Sequence, residues 1–134
     1  MNEPGRRIEV VSDQDVVRVR QQVRTLAVAV KLSLVDQTKI VTAASELARN
    51  TLVYGGGGWV EVAPADNGRR KGIRIVFSDQ GPGIADLDLA FTDGYTTGGG
   101  LGLGLSGARR LVDEFDIVTA VGEGTTITVT KWCR

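Results

Sequence analysis

Three short stretches carry side chains, or a lack of side chains, that could do chemistry. The first is Ser45 to Asn50, SELARN. Glu46 and Asn50 lie four apart, so on a helix they share a face, while Leu47, Ala48 and Thr51 point to the other side. A lone Glu/Asn pair is usually a solvated helix face. As chemistry, it sets a carboxylate base beside an oxygen ligand for Mg²⁺, an ion that takes one or two protein oxygens and completes its octahedron with phosphates and water. The second stretch is SDQGPGI, Ser78 to Ile84. Asp, Gly and Pro are turn residues, and a turn after a strand is the plain reading. Yet Asp79 stands at the strand's end, and a fixed carboxylate only accepts hydrogen bonds. It matches the exocyclic amine of adenine and repels the carbonyl that guanine has there. Gly81 and Gly83 would let a base or sugar approach the backbone.

The third stretch is TTGGGLGLGL, Thr96 to Leu105, which packs Gly98, Gly99, Gly100, Gly102 and Gly104 together. Ordering a glycine costs roughly 0.5–1 kcal/mol more than ordering an alanine. A flexible loop would explain Gly98 to Gly100 but not the Gly-Leu alternation running into a helix. A phosphate cradle explains both, because bare backbone N–H groups and a helix N-terminus attract anions. It is not a Walker A loop, which needs a Gly-Lys pair absent from this chain. GLGLSG matches the spacing of the dinucleotide fingerprint, but no strand precedes it and a hairpin, not a crossover unit, follows.

Composition removes other chemistries. There is no histidine and one cysteine, Cys133. A Ser-His-Asp or Cys-His device, a phosphohistidine, the His-Arg-Asp loop of eukaryotic-type protein kinases, a structural zinc site and an internal disulfide framework are all excluded or left without residues. Sixteen basic and sixteen acidic residues cancel, with no basic block to mark a nucleic-acid surface. No apolar run approaches the ~20 residues of a membrane span, and the N-terminus lacks a signal-peptide core, so a cytoplasmic protein is expected.

The elements that must hold these residues follow from periodicity. RIEVVS reads as a strand. Ser12 and Ser33 each begin a helix, with Asp15 and Asp36 in capping-box-like positions. Val16, Val19, Val23, Leu26, Ala27 and Val30 recur at helical spacing, as do Ile40, Ala44, Leu47, Ala48 and Thr51. Glycines 55–58 end the second helix. WVEVAPAD and GIRIVFSD read as strands joined by an Asn67-Gly68 turn. A short helix is predicted around Ile84–Phe91, another over Leu103–Phe115, and a terminal hairpin turns at Gly122-Glu123-Gly124. The order β-α-α-β-β-(α)-α-β-β implies an α+β fold, a single domain over 1–134 with a mixed, mostly antiparallel sheet and helices on one face. Trp59 and Trp132 are expected to cover the sheet, and Cys133 to be an incidental thiol.

In order, Glu46…Asn50, Asp79-x-Gly81-x-Gly83, the glycines of 98–105 and Gly124-Thr125 resemble the ATP-binding boxes of the GHKL superfamily, which includes gyrase B, MutL, histidine kinases and anti-sigma-factor kinases. ELARN, DQGPGI, DGYTTGGGLGLGL, RRLVDEF and EGTTITVTKWCR look most like the RsbT-type switch kinases of the stressosome, with RsbW-type anti-sigma-factor kinases as near relatives. The resemblance implies a Bergerat-type two-layer α/β sandwich. It implies a serine/threonine-protein kinase that uses ATP and Mg²⁺, acts on STAS-domain proteins, and as a switch binds and activates a phosphatase of the PP2C type. An RsbW-type kinase that sequesters a sigma factor, and a non-catalytic ATP-dependent binding module, are the alternatives. It also implies roles. Glu46 would be the general base, Asn50 the Mg²⁺ ligand, Asp79 the adenine reader, and Thr125 its support through a water. Gly81 and Gly83 would line the nucleotide. Gly98, Gly99, Gly100, Leu101, Gly102, Leu103 and Gly104 would wrap the phosphates, with a small lid between Gly83 and Gly98.

Overall fold

The computed structural model describes residues 5–86, 90–91 and 104–134. Strand β1 (Arg6–Val10) leads into helix α1 (Asp13–Ala29). Ser12 is the N-cap, but its hydroxyl makes no capping bond to the helix. The carboxylate of Asp15 turns back instead, accepting from the Val11 N–H at 3.0 Å and the Ser12 hydroxyl at 3.1 Å. The Val11 bond, aided by Ser12 and by Arg18 at 3.7 Å, outweighs burial and holds the Asp15 carboxyl below its usual range. Thus only one arm of the expected capping box forms, shifted to the residue before the cap. The apolar stripe of α1 is buried as its spacing predicts, at Val16, Val19, Val23 and Ala27.

Helix α2 (Leu34–Val53) has the cap the sequence predicts, the Ser33 hydroxyl accepting from the Asp36 N–H at 3.1 Å. Its face of Ile40, Ala44, Leu47 and Ala48 is fully buried. The helix closes through Gly55 and Gly57, whose N–H groups reach back to the carbonyls of Asn50 and Thr51. Strand β2 (Gly58–Asp66) pairs with β3 (Lys71–Asp79) across a turn in which Asn67 Oδ1 accepts from the N–H groups of Arg69 and Arg70.

Helix α3 runs only over Leu105–Leu111, shorter than the predicted Leu103–Phe115. Phe115 belongs to strand β4 (Glu114–Thr119), which pairs with β5 (Thr125–Trp132). There Phe115 and Ile117 alternate toward the core. The two-residue period of the ladder prevails over the helical pattern that precedes it. The predicted helix around Ile84–Phe91 falls partly on residues outside those described; the Ala90 N–H donates to the Asp86 carbonyl at 3.0 Å.

The sheet has the order β1-β2-β3-β5-β4, and its four described pairings are all antiparallel rather than mixed. Register aligns Ile8, Val60, Phe77, Ile127 and Ile117 in one row across its inner face, and Val62, Ile75, Val129 and Phe115 in the next. Helices α1 and α2 cover this face, and α3 packs beside α2. The other face carries Trp59 beneath the Arg7 guanidinium, 3.9 Å from its ring, and the threonines 126, 128 and 130. Trp132 ends β5, its indole N–H donating to Glu114 at 2.5 Å.

The inner face also buries a lysine. Lys131 is 3% exposed and lies 3.6 Å from both Asp36 and Asp113. Arg134 joins the same pair of acids at 3.7 and 3.3 Å. This network ties the start of α2 to the β4–β5 end of the sheet. Cys133 is not idle beside it, since its thiol donates to the Val30 carbonyl at 2.9 Å and burial raises its pKa.

Candidate functional site

Antiparallel pairing lines up Val10, Gly58, Asp79, Thr125 and Thr119 as one more row of the inner face, at the end of the sheet beneath the C-terminal half of α2. Asp79 is the last residue of β3 and two after Phe77, so strand alternation directs it inward. It is 8% exposed. Its Oδ1 accepts from the Gly81 N–H at 2.9 Å, and the nearby Thr125 N–H favours the charged carboxylate. Burial nevertheless dominates and raises its pKa above the ordinary 3.8, the two N–H groups opposing the rise. No lysine or arginine of the described residues forms an ion pair with it.

Two glycines make room for this carboxylate, and a third, Gly124, packs on the backbone of Asp79 and Gln80. A methyl group on Gly55 would stand 2.6 Å from Asp79 Oδ2. One on Gly81 would stand 2.7 Å from Gly55 Cα and 3.1 Å from Asp79 Oδ1, and one on Gly124 3.0 Å from Gln80 Cα. The end of α2, the loop after β3 and the start of β5 meet here at backbone distance.

Asp79 forms part of the floor of a narrow cleft, partly open to solvent. Leu47, Asn50, Thr51 and Tyr54 of α2 form one wall. Phe77, Thr125 and Ile127 of the sheet form the rest of the floor, with Ile84 and Leu105 closing the sides. The site is thus an apolar slot with a few convergent polar groups, the usual make-up of a small-molecule pocket. Asn50 lines the slot. Glu46, one turn back on the same helix, is exposed at the rim. Gly104 comes up against it, since a methyl group there would lie 2.8 Å from Glu46 Oε2. Gly104 is also the N-cap of α3 in a left-handed conformation, φ 65°. Leu105 behind it is 1% exposed and anchors α3 on the core.

The structure therefore brings Asn50, Asp79, Gly81 and Thr125 together, with Glu46 and Gly104 alongside. Gly83 packs on the backbone of Ala120, and its carbonyl accepts from the Tyr54 hydroxyl at 2.7 Å. Gly98, Gly99, Gly100, Leu101, Gly102, Leu103 and most of the predicted lid lie outside the described residues.

Several residues of the site were not singled out from the sequence. Tyr54 is four residues after Asn50 and shares its helix face. Phe77 and Ile127 are each two residues from a polar member of the site and share its sheet face. Thr119 is the least visible, because only the register Thr119↔Thr125 places it there. Its hydroxyl accepts from the Ile84 N–H at 2.9 Å, donates to the Gly124 carbonyl at 3.1 Å and lies 2.8 Å from the Thr125 hydroxyl.

Among the described residues no helix is long and apolar enough to cross a membrane. The profile of the histidine kinase-, DNA gyrase B- and HSP90-like ATPases matches residues 35–133, from the first turn of α2 to the end of β5. The chain is also similar to serine/threonine-protein kinase RsbT of Bacillus subtilis (strain 168), with 42% identity over 127 residues, 95% of this chain and 96% of that protein. Sheet, helical layer and cleft agree with both findings: the chain belongs to the histidine kinase-, DNA gyrase B- and HSP90-like ATPase family, and within it is a relative of a serine/threonine-protein kinase.

Proposed function

We propose that this protein is an ATP-dependent serine/threonine-protein kinase of the RsbT type, working in the cytoplasm on STAS-domain regulators. The single observation that carries the reading is Asp79. A carboxylate buried in an apolar slot, raised in pKa and without a cationic partner among the described residues, is a costly arrangement that suits a ligand bringing its own hydrogen-bond donor. The amine of adenine is such a donor, and the largely apolar lining suits the ring.

The residues present fit ATP and Mg²⁺ in their chemistry. Among the described residues no three of His, Cys, Asp or Glu gather around a metal. A magnesium ion here would share the amide oxygen of Asn50 with phosphate oxygens and water, which is the habit of that ion. ATP, when bound, would supply the transferable phosphoryl group, and Mg²⁺ would neutralise its charge. The chain's own part is positioning and proton handling. Asp79 and Thr125 would hold the base, and Gly104, at the start of α3, would lie on the phosphate side. Glu46, exposed at the rim where a protein substrate can reach, accepts the proton of the acceptor hydroxyl.

The resemblance to RsbT-type kinases extends the proposal to a PP2C-type phosphatase, bound and activated once the kinase is released. Sequestration of a sigma factor, as in RsbW-type kinases, is the competing reading. The deciding experiment mixes the protein with Mg²⁺, labelled ATP and candidate STAS-domain proteins from the same source. Label on a seryl or threonyl residue supports the kinase; ATP binding with no transfer to any of them leaves a binding module; capture of a sigma factor in place of transfer favours the competitor.

A further inference from the structure

The hydroxyl of Thr119 meets three groups, and counting donors against acceptors fixes its direction. Thr119 Oγ1 accepts the Ile84 N–H at 2.9 Å. It has one proton to give, and two acceptors are in reach: the Gly124 carbonyl at 3.1 Å and Thr125 Oγ1 at 2.8 Å. If the proton goes to Thr125, the Gly124 carbonyl loses this donor. If it goes to Gly124, the Thr125 hydroxyl donates to the second lone pair of Thr119, and three bonds form where the other choice makes two. The second arrangement prevails. Thr125 then shows the cleft only lone pairs, beside a carboxylate that likewise only accepts.

We infer that Thr119 is a positioning residue that sets base selectivity: it turns the Thr125 hydroxyl into an acceptor, so that the cleft favours a base edge carrying an amine over one carrying a carbonyl. This rests on the reading of the cleft as an adenine site. Thr119 touches no ligand itself. It acts through Thr125, and through Ile84, whose N–H it holds and whose side chain closes the slot.

The test titrates ATP and inosine triphosphate, which differ in this amine-for-carbonyl exchange, against the wild type, Thr119→Val and Thr119→Ser. Each variant is checked for a cooperative melt. In Thr119→Val the Thr125 proton is free to point into the cleft. ATP affinity is expected to fall about tenfold, the equivalent of one hydrogen bond. Inosine triphosphate holds or gains affinity, so the preference for ATP shrinks by about tenfold or more. Thr119→Ser restores both values. With Thr125→Val already in place, Thr119→Val changes the preference no further. An unchanged preference, or equal losses for both nucleotides, in a cooperatively melting Thr119→Val overturns the inference. Should that variant not fold, Thr119→Ala is judged by the same ratio. A folded wild type that takes up neither nucleotide sinks the adenine reading and this inference with it, an outcome distinct from normal wild-type binding with an indifferent Thr119.

Discussion

Gly55 and Asp79 are packed so closely that no side chain can be placed between them: a methyl group on Gly55 would lie 2.6 Å from the Asp79 carboxylate oxygen. The turn that ends α2 is therefore also one wall around the acid. In Gly55→Ala the carboxylate must move or the end of α2 must lift. Overpacking of this kind costs about 1–3 kcal/mol. Melting and nucleotide titration should show both a loss of stability and a loss of ATP affinity. Gly56→Ala is the control. Open space surrounds that residue and only its left-handed backbone, φ 74°, objects. Some stability is lost there, about 1–2 kcal/mol, with ATP affinity retained. Equal affinity in wild type and Gly55→Ala would separate the glycine from the site.

Asp79 should be a residue that function needs and folding does not. Its pKa is raised in the folded state, so the folded protein holds this proton more tightly than the unfolded chain. The ionised side chain then costs stability, in a window that opens at the ordinary 3.8 and closes at the raised folded value; the cost stays in full at higher pH and vanishes below 3.8. Asp79→Asn removes it. The variant should melt at or above the wild-type temperature at pH 7, and the two curves should converge in acid. It should also bind ATP more weakly by about 1.5–3 kcal/mol, the worth of a hydrogen bond to a charged group. A lower melting temperature with normal ATP binding would invert both roles.

Glu46→Gln should leave the fold alone, because the side chain is exposed at the cleft rim. Phosphotransfer to a STAS-domain acceptor should fall by roughly 10²–10⁴, the usual contribution of a general base, while ATP still binds. Unchanged transfer would take the proton-accepting role away from Glu46.

Lys131→Met tests the charge network at the far end of the sheet. Removing the lysine strands Asp36, which is 5% exposed, beside Asp113. Breaking a buried pair costs about 3–5 kcal/mol, and Arg134, which touches both acids, should keep the loss near the lower end. Chemical denaturation reads the stability. ATP affinity measured well below the melting point should not change, since the network lies away from the cleft.

Much of this protein was legible before any fold was known. The stripes of α1 and α2, the alternation of β2 and β3, and the turns at Asn67-Gly68 and Gly122–Gly124 are local patterns, and local periodicity survives into the structure because each stripe must be buried. The boxes around Glu46, Asn50, Asp79 and Gly104 were likewise readable, since chemistry constrains residue type and spacing along the chain. What the chain alone could not show is what lies across the sheet. The burial of Asp79 by Gly55, Gly81 and Gly124, the place of Lys131 between Asp36 and Asp113, the end of α3 before Phe115 and the junction at Thr119 all depend on which strand pairs with which, and in what register. A shift of one residue in the β4–β5 pairing would turn Thr119 to the opposite face. Register is set by the summed packing of distant segments, so only the tertiary structure decides it.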